Sequence, residues 1–95
     1  MSTVQELPAV EHPTNRPNFY IMHFMGWRFA FSYQTVVGFI PPGGGIWRVI
    51  QNYWGPTTGK HLNWLDGGDK KSRLSSEEFN KALEGARTSA ALITH

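Results

Sequence analysis

The stretch Trp54-Gly55-Pro56-Thr57-Thr58-Gly59-Lys60-His61 carries the residue types of a phosphate-binding loop: two glycines, a lysine and hydroxyls, after a segment that reads as a strand. Such a loop needs a glycine, four residues, then Gly-Lys-Ser/Thr. That length lets successive N–H groups curl around a β-phosphate while the final hydroxyl holds magnesium. Here three residues separate Gly55 from Gly59, and His61 stands where the hydroxyl belongs. The parallel sheet that carries such a loop also has no room in a 95-residue chain of hairpins. The same residues serve better as a helix start, with Pro56 in the first turn and Thr57 or Thr58 offering an oxygen to the unpaired N–H groups.

That helix is expected to run to about Leu65 and to stop at Asp66-Gly67-Gly68, because glycine accepts the left-handed conformation that follows a helix. Thr58, His61, Leu62 and Leu65 then share one face, while Lys60 and Asn63 point elsewhere. His61 reads as a hydrogen-bonded, partly buried histidine held near the sheet rather than as a ligand. Ser32 or Tyr33 would be an attractive partner, although spacing alone does not bring either to it. A helix N-terminus with Lys60 nearby can attract an anion, and Lys70, Lys71 and Arg73 add charge in the loop beyond. The alternative is an ordinary solvated loop, with Asp66 and Asp69 balancing the basic residues.

Other chemistry is poorly supplied. The chain has no cysteine, which removes disulfides, thiolate metal sites and thiol nucleophiles. Its four histidines are scattered, and Asp66 and Asp69 lack the alternating oxygen ligands of a calcium loop. No nucleophile stands at a recognisable spacing from a base. A non-enzymatic protein without metal or cofactor is expected.

The elements that must position these residues begin at Phe19. FYIMHFM reads as a strand with both faces apolar, and RFAFSYQTVVGFI as a second with Phe29, Phe31, Tyr33, Thr35, Val37 and Phe39 on its core face. Pro41-Pro42 and three glycines form a wide loop, after which IWRVIQNYW returns as a third strand. Next to the last helix, Ser75 reads as N-cap, Glu78 closes a capping box, and Leu74 is placed to staple against Phe79. Phe79, Ala82, Leu83, Ala86, Ala90 and Ile93 recur at helical spacing. The expected fold is therefore α+β: a three-stranded antiparallel meander followed by two helices packed on one face, a single domain over residues 19–95. Residues 1–18, rich in proline and polar side chains, read as a flexible N-terminal arm.

The start has no basic leader and no apolar h-region, and the longest apolar-rich run falls short of the roughly 20 residues a membrane helix needs. A cytoplasmic protein without membrane association is expected, as monomer or homodimer. Thirteen aromatic rings exceed what one sheet face and one helix stripe enclose. Trp47, Tyr53, Trp54 or Tyr20 is then left partly exposed, as an anchor for a protein partner or a stacking platform for unpaired bases. The alternative is that helices or arm cover the second sheet face.

Ser32-Tyr33-x-Thr35-x-Val37, followed after a hairpin by the Asn-aromatic-Trp stretch Asn52-Tyr53-Trp54 and then Thr57-Thr58-x-Lys60-His61-Leu62-Asn63, resembles a family of small uncharacterised bacteriophage proteins with an SYxTxV strand and a TTxxH helix start. The resemblance covers about residues 28–66. It implies a phage or prophage origin and action in the bacterial host, with no activity to carry over. Three readings follow. The first is an accessory protein that docks on a host protein of defence, transcription or replication through Trp47, Tyr53, Trp54 and the basic residues Lys60, Lys70, Lys71 and Arg73. The second is nucleic-acid binding through Lys60, Lys70, Lys71, Arg73 and stacked aromatics. The third is an enzyme or small-ligand binder at the Thr57 to His61 corner.

Overall fold

Met25 and Gly26 carry the chain through a tight turn with φ of 54° and 84°. Positive φ at both central residues is the primed-turn pattern whose twist matches that of the flanking strands. The strands so joined are β2 (Phe19–Phe24) and β3 (Trp27–Ser32). With β1 (Ala9–Glu11), β4 (Thr35–Ile40) and β5 (Arg48–Val49) they make a five-stranded antiparallel sheet in the order β1-β2-β3-β4-β5. Helix α1 (Pro56–Asp66), a 3₁₀ turn (Lys70–Ser72) and helix α2 (Ser76–Ile93) follow. The computed structural model describes residues 9–13 and 17–93, and for 86–93 the backbone alone.

The α+β class is as expected, but the sheet has five strands rather than three. One extra strand arises because RFAFSYQTVVGFI is a hairpin and not a single strand. Its alternation runs unbroken through Tyr33-Gln34, with no glycine, proline or asparagine to mark the turn. Tyr33 nevertheless takes φ 59°, a region where bulky residues are uncommon. Its N–H donates to the Asn18 carbonyl at 2.6 Å, which fixes the turn against the start of β2. The other extra strand lies in the expected arm, where Ala9, Val10 and Glu11 pair with His23, Met22 and Ile21. Glu11 Oε1 and His23 Nε2 meet at 2.6 Å across that pair. Residues 1–8 and 14–16 of the arm lie outside the described residues.

The turn at Tyr33 and a register shift opposite Ala30 and Phe31 also change which side chains are buried. In β3, Ala30 and Ser32 are the buried residues, and Phe29 and Phe31 are only half-buried. Thr35, expected on the core face, is exposed. Small residues are needed under α1: a Cβ built on Gly38 would stand 3.0 Å from Leu65 Cδ1 and 3.3 Å from the Arg48 carbonyl. Glycine here lets the helix approach the strand backbone. Register places Phe19 opposite Ser32, Ile21 opposite Ala30, and Ala30 opposite Gly38, so these five share the face that receives Leu62 and Leu65.

Helix α2 adds Phe79, whose ring meets Phe39 edge-on at 5.4 Å. Burying a ring of that size contributes about 2 kcal/mol. Its start is the expected capping box: the Glu78 N–H donates to Ser75 Oγ at 3.2 Å, and the Ser75 N–H donates to Glu78 Oε1 at 3.1 Å. The second of these bonds is the main reason the Glu78 carboxyl is held below its ordinary pKa. Leu74 packs against the same core. The stripe expected to continue through Ala86, Ala90 and Ile93 involves side chains outside the described residues.

Candidate functional site

Helix α1 begins without a side-chain cap. Gly55 is its N-cap, in extended backbone, and Pro56 fills the first helical position. The expectation that Thr57 or Thr58 caps the helix is therefore corrected. Asn52 orders the junction instead, accepting from the N–H groups of Trp54 at 2.9 Å and Gly55 at 3.2 Å and donating to the Gly55 carbonyl at 2.9 Å. A Cβ on Gly59 would lie 3.1 Å from the Asn52 amide nitrogen, so that glycine makes room for the asparagine. Gly59 thus answers to packing, while Gly55 lies in extended backbone that any residue adopts.

Freed from capping, the Thr58 hydroxyl turns to the sheet and sits 3.1 Å from Ser32 Oγ. Ser32 Oγ also lies 2.7 Å from His61 Nδ1. All three residues are buried, and the His61 ring stacks on Phe19 with centroids 4.8 Å apart. The expected face of Thr58, His61, Leu62 and Leu65 is the buried one, and Ser32 is the partner that spacing alone did not place. A hydroxyl chain running from helix to strand satisfies groups that would otherwise cost about 1–3 kcal/mol each when buried.

Beside this corner is a pocket of about 190 Å³ lined by Ser32, Tyr33, Thr35, Val37, Trp54 and Thr58. Ser32, Val37 and Thr58 are buried and form its floor. Tyr33 and Trp54, 48% and 49% exposed, stand at its mouth.

A second, wider groove of about 530 Å³ lies beside the start of α1. Lys60 and Lys70 line it together with the amides of Gln51, Asn52 and Asn63. Lys71 is exposed on the neighbouring 3₁₀ turn. Arg73 also borders this groove, but its guanidinium is taken up internally. Nε donates to Asp66 Oδ2 at 2.7 Å, and Nη2 donates to Asp66 Oδ1 at 3.1 Å and to Asn63 Oδ1 at 2.9 Å. Burial alone would raise the Asp66 carboxyl. The Arg73 hydrogen bonds, the Gly68 N–H and the Arg73 charge outweigh it and hold the pKa below the ordinary 3.8. Arg73 therefore clamps the end of α1, where Gly67 closes the helix with φ 66° as expected.

The aromatics divide in the same way. Trp47, expected at a binding surface, is half-buried and packs against the core beside Gly38. Tyr53 and Trp54 are 54% and 49% exposed and touch edge-to-face at 5.9 Å. Tyr53 has a structural share too, since its hydroxyl accepts from the Ser76 N–H at 2.9 Å. Trp64, 44% exposed and set edge-on to Phe19, was not singled out from sequence. Its position off the Thr58 to Leu65 stripe was the available signal. Asn52 stands in the Asn-aromatic-Trp stretch of the resemblance, but its role at the junction was missed, although an asparagine shortly before a glycine turn is a recognisable signal. Among the described residues, no three His, Asp or Glu side chains gather as a metal site, and no helix is long and apolar enough to cross a membrane.

By sequence the chain belongs to DUF8033, a family of unknown function, which it matches over residues 9–81. That span takes in all five strands, α1 and the start of α2. No curated protein and no solved structure matches the chain.

Proposed function

We propose that this chain is a non-enzymatic phage accessory protein that acts in the cytoplasm of the bacterial host by docking on a host protein of the defence, transcription or replication machinery. The observation that carries the reading is the group of half-exposed rings around α1, comprising Tyr53, Trp54 and Trp64. Rings left in solvent beside polar side chains and a few lysines are typical of interface anchors, where a small number of aromatics supply most of the binding energy. Lys60, Lys70 and Lys71 form the polar rim, and Arg73 and Trp47 support the fold behind it. A tagged chain is expected to retain one host protein in stoichiometric yield at moderate salt. Trp54→Ala combined with Trp64→Ala should weaken that capture at least about tenfold, as loss of a single interface anchor does. Recovery of nothing above background would sink the reading.

A second reading is favoured by the groove in which Lys60 and Lys70 meet the amides of Gln51, Asn52 and Asn63. Lysines for phosphates and amides for base edges are what an unpaired strand requires. With Lys71 as a third phosphate contact, affinity for a single-stranded oligonucleotide should fall about tenfold between 50 and 150 mM salt. No binding even at low salt rules this reading out.

A further inference from the structure

We propose that the pocket between the β3–β4 turn and the start of α1 is a binding site for one neutral, flat, hydrogen-bonding heterocycle, of the class of a nucleobase. The inference is separate from the docking surface, with which it shares only Trp54. Four features of the pocket carry it.

The first is size. About 190 Å³ equals roughly six water molecules at liquid volume, which suits one ring system. Sites for drug-sized molecules begin at about 300 Å³. The second is charge. The six lining residues include no Asp, Glu, His, Lys or Arg, so they suit a neutral group. A phosphate or carboxylate would find no counter-charge among them.

The third is the division between mouth and floor. Tyr33 and Trp54 present aromatic surface where the pocket opens, and such surface holds a flat ring by stacking. Below them lie the hydroxyls of Ser32 and Thr58, with Thr35 at the side. The Ser32 and Thr58 hydroxyls belong to the buried chain that ends on His61 Nδ1. When Nδ1 accepts, both hydroxyl protons are used within that chain, and the floor offers lone pairs. When Nδ1 carries the proton, one hydroxyl proton is released, and the floor offers a donor as well. A heterocycle edge with an amino or ring N–H beside a ring nitrogen or carbonyl matches either state. A phenyl or aliphatic side chain would cover these oxygens and give them nothing in return.

The fourth is the backbone of Tyr33. At φ 59° it occupies the region that glycine or asparagine would take at less cost, and the turn itself has no need of a large ring there. Its ring is nevertheless placed at the pocket mouth.

The test uses the full chain and two kinds of probe. Adenosine, guanosine, cytidine and uridine are each titrated while Trp fluorescence and NMR shifts are followed, and a single-stranded homopolymeric DNA is titrated in parallel. At least one probe is expected to bind saturably. Trp54→Ala and, separately, Thr35→Val should weaken that binding about tenfold, the effect of losing one stacked ring or one hydrogen bond to a base. Thr35 is exposed, so its variant keeps the fold. Tyr33→Leu should weaken binding while Tyr33→Phe, which keeps an aromatic ring beside His61 and at the pocket mouth, should not, a split that a purely structural role for Tyr33 would not produce. Binding of a free nucleoside identifies a small-molecule source, and binding of the DNA alone identifies a base within a strand. Saturable binding of neither probe overturns the proposal, as does wild-type affinity in both Trp54→Ala and Thr35→Val. Nucleoside binding without capture of a host protein would leave this site standing and sink the docking surface.

Discussion

Helices α1 and α2 start by different means. The start of α2 is closed within four residues by the reciprocal bonds of Ser75 and Glu78. The start of α1 has no side-chain cap, and the Thr58 hydroxyl, expected as one, is bonded to a strand 26 residues earlier. Helix α2 is held at its N-terminus chiefly by local bonds, joined by one to Tyr53, whereas α1, whose entry Asn52 orders locally, is tied by a side-chain bond to a distant strand. A local cap forms wherever the segment is helical, whereas the Ser32, Thr58 and His61 chain exists only when sheet and helix are already docked. The α1 corner should therefore be the more costly to damage and the more cooperative with the whole fold.

The largest effect is expected from His61→Ala. The change removes a ring stacked on Phe19 and leaves Ser32 without one of its partners in a buried site. It should cost about 4 kcal/mol. For a domain of this size that lowers the melting temperature by about 20 °C in a thermal scan. Loss of less than about 1 kcal/mol would show that the corner is not structural.

Arg73→Ala comes next, at about 3 kcal/mol by urea denaturation, because it leaves the Asp66 carboxylate nearly buried beside Asn63 without its counter-charge. The same pair sets a pH dependence. The folded Asp66 pKa lies below its ordinary 3.8, so the unfolded chain binds the proton more readily. Its contribution is present above pH 3.8 and is lost as pH falls through the depressed folded value. In Arg73→Ala the burial that raises the pKa is opposed by the backbone N–H groups of Gly68 and Asp66 without the guanidinium, so this acid-side loss should shrink or reverse.

The smallest effect is expected from Ser75→Ala, about 1 kcal/mol. Hydrogen exchange should place that loss in the first turn of α2 and leave α1 protected as before. If Ser75→Ala instead destabilises as much as His61→Ala, the contrast between local and tertiary starts fails.

The same contrast explains what the sequence disclosed. The capping box, the Gly67 stop and the buried stripe of α1 depend on residues within a turn or two of each other, and each is where spacing put it. The turn at Tyr33 was hidden because the stretch from Arg28 to Ile40 keeps period two and has no glycine, proline or asparagine at Tyr33-Gln34. Strand β1 was hidden because three exposed residues carry no core signal, and only pairing with β2 defines them. At the candidate sites, the burial of His61 was legible, but its bond to Ser32 required the fold. Arg73 read as a surface charge because its partner Asp66 is seven residues away across the end of α1.

The sheet also bears on how the chain meets other molecules. Its outermost strands, β1 with three residues and β5 with two, expose few unpaired backbone groups, and each carries a charge, Glu11 on one and Arg48 on the other. Short, charged margins of this kind discourage a foreign strand from extending the sheet. Self-association by edge pairing is disfavoured for the same reason. The docking proposed on the α1 side would accordingly depend on side chains rather than on backbone ladders.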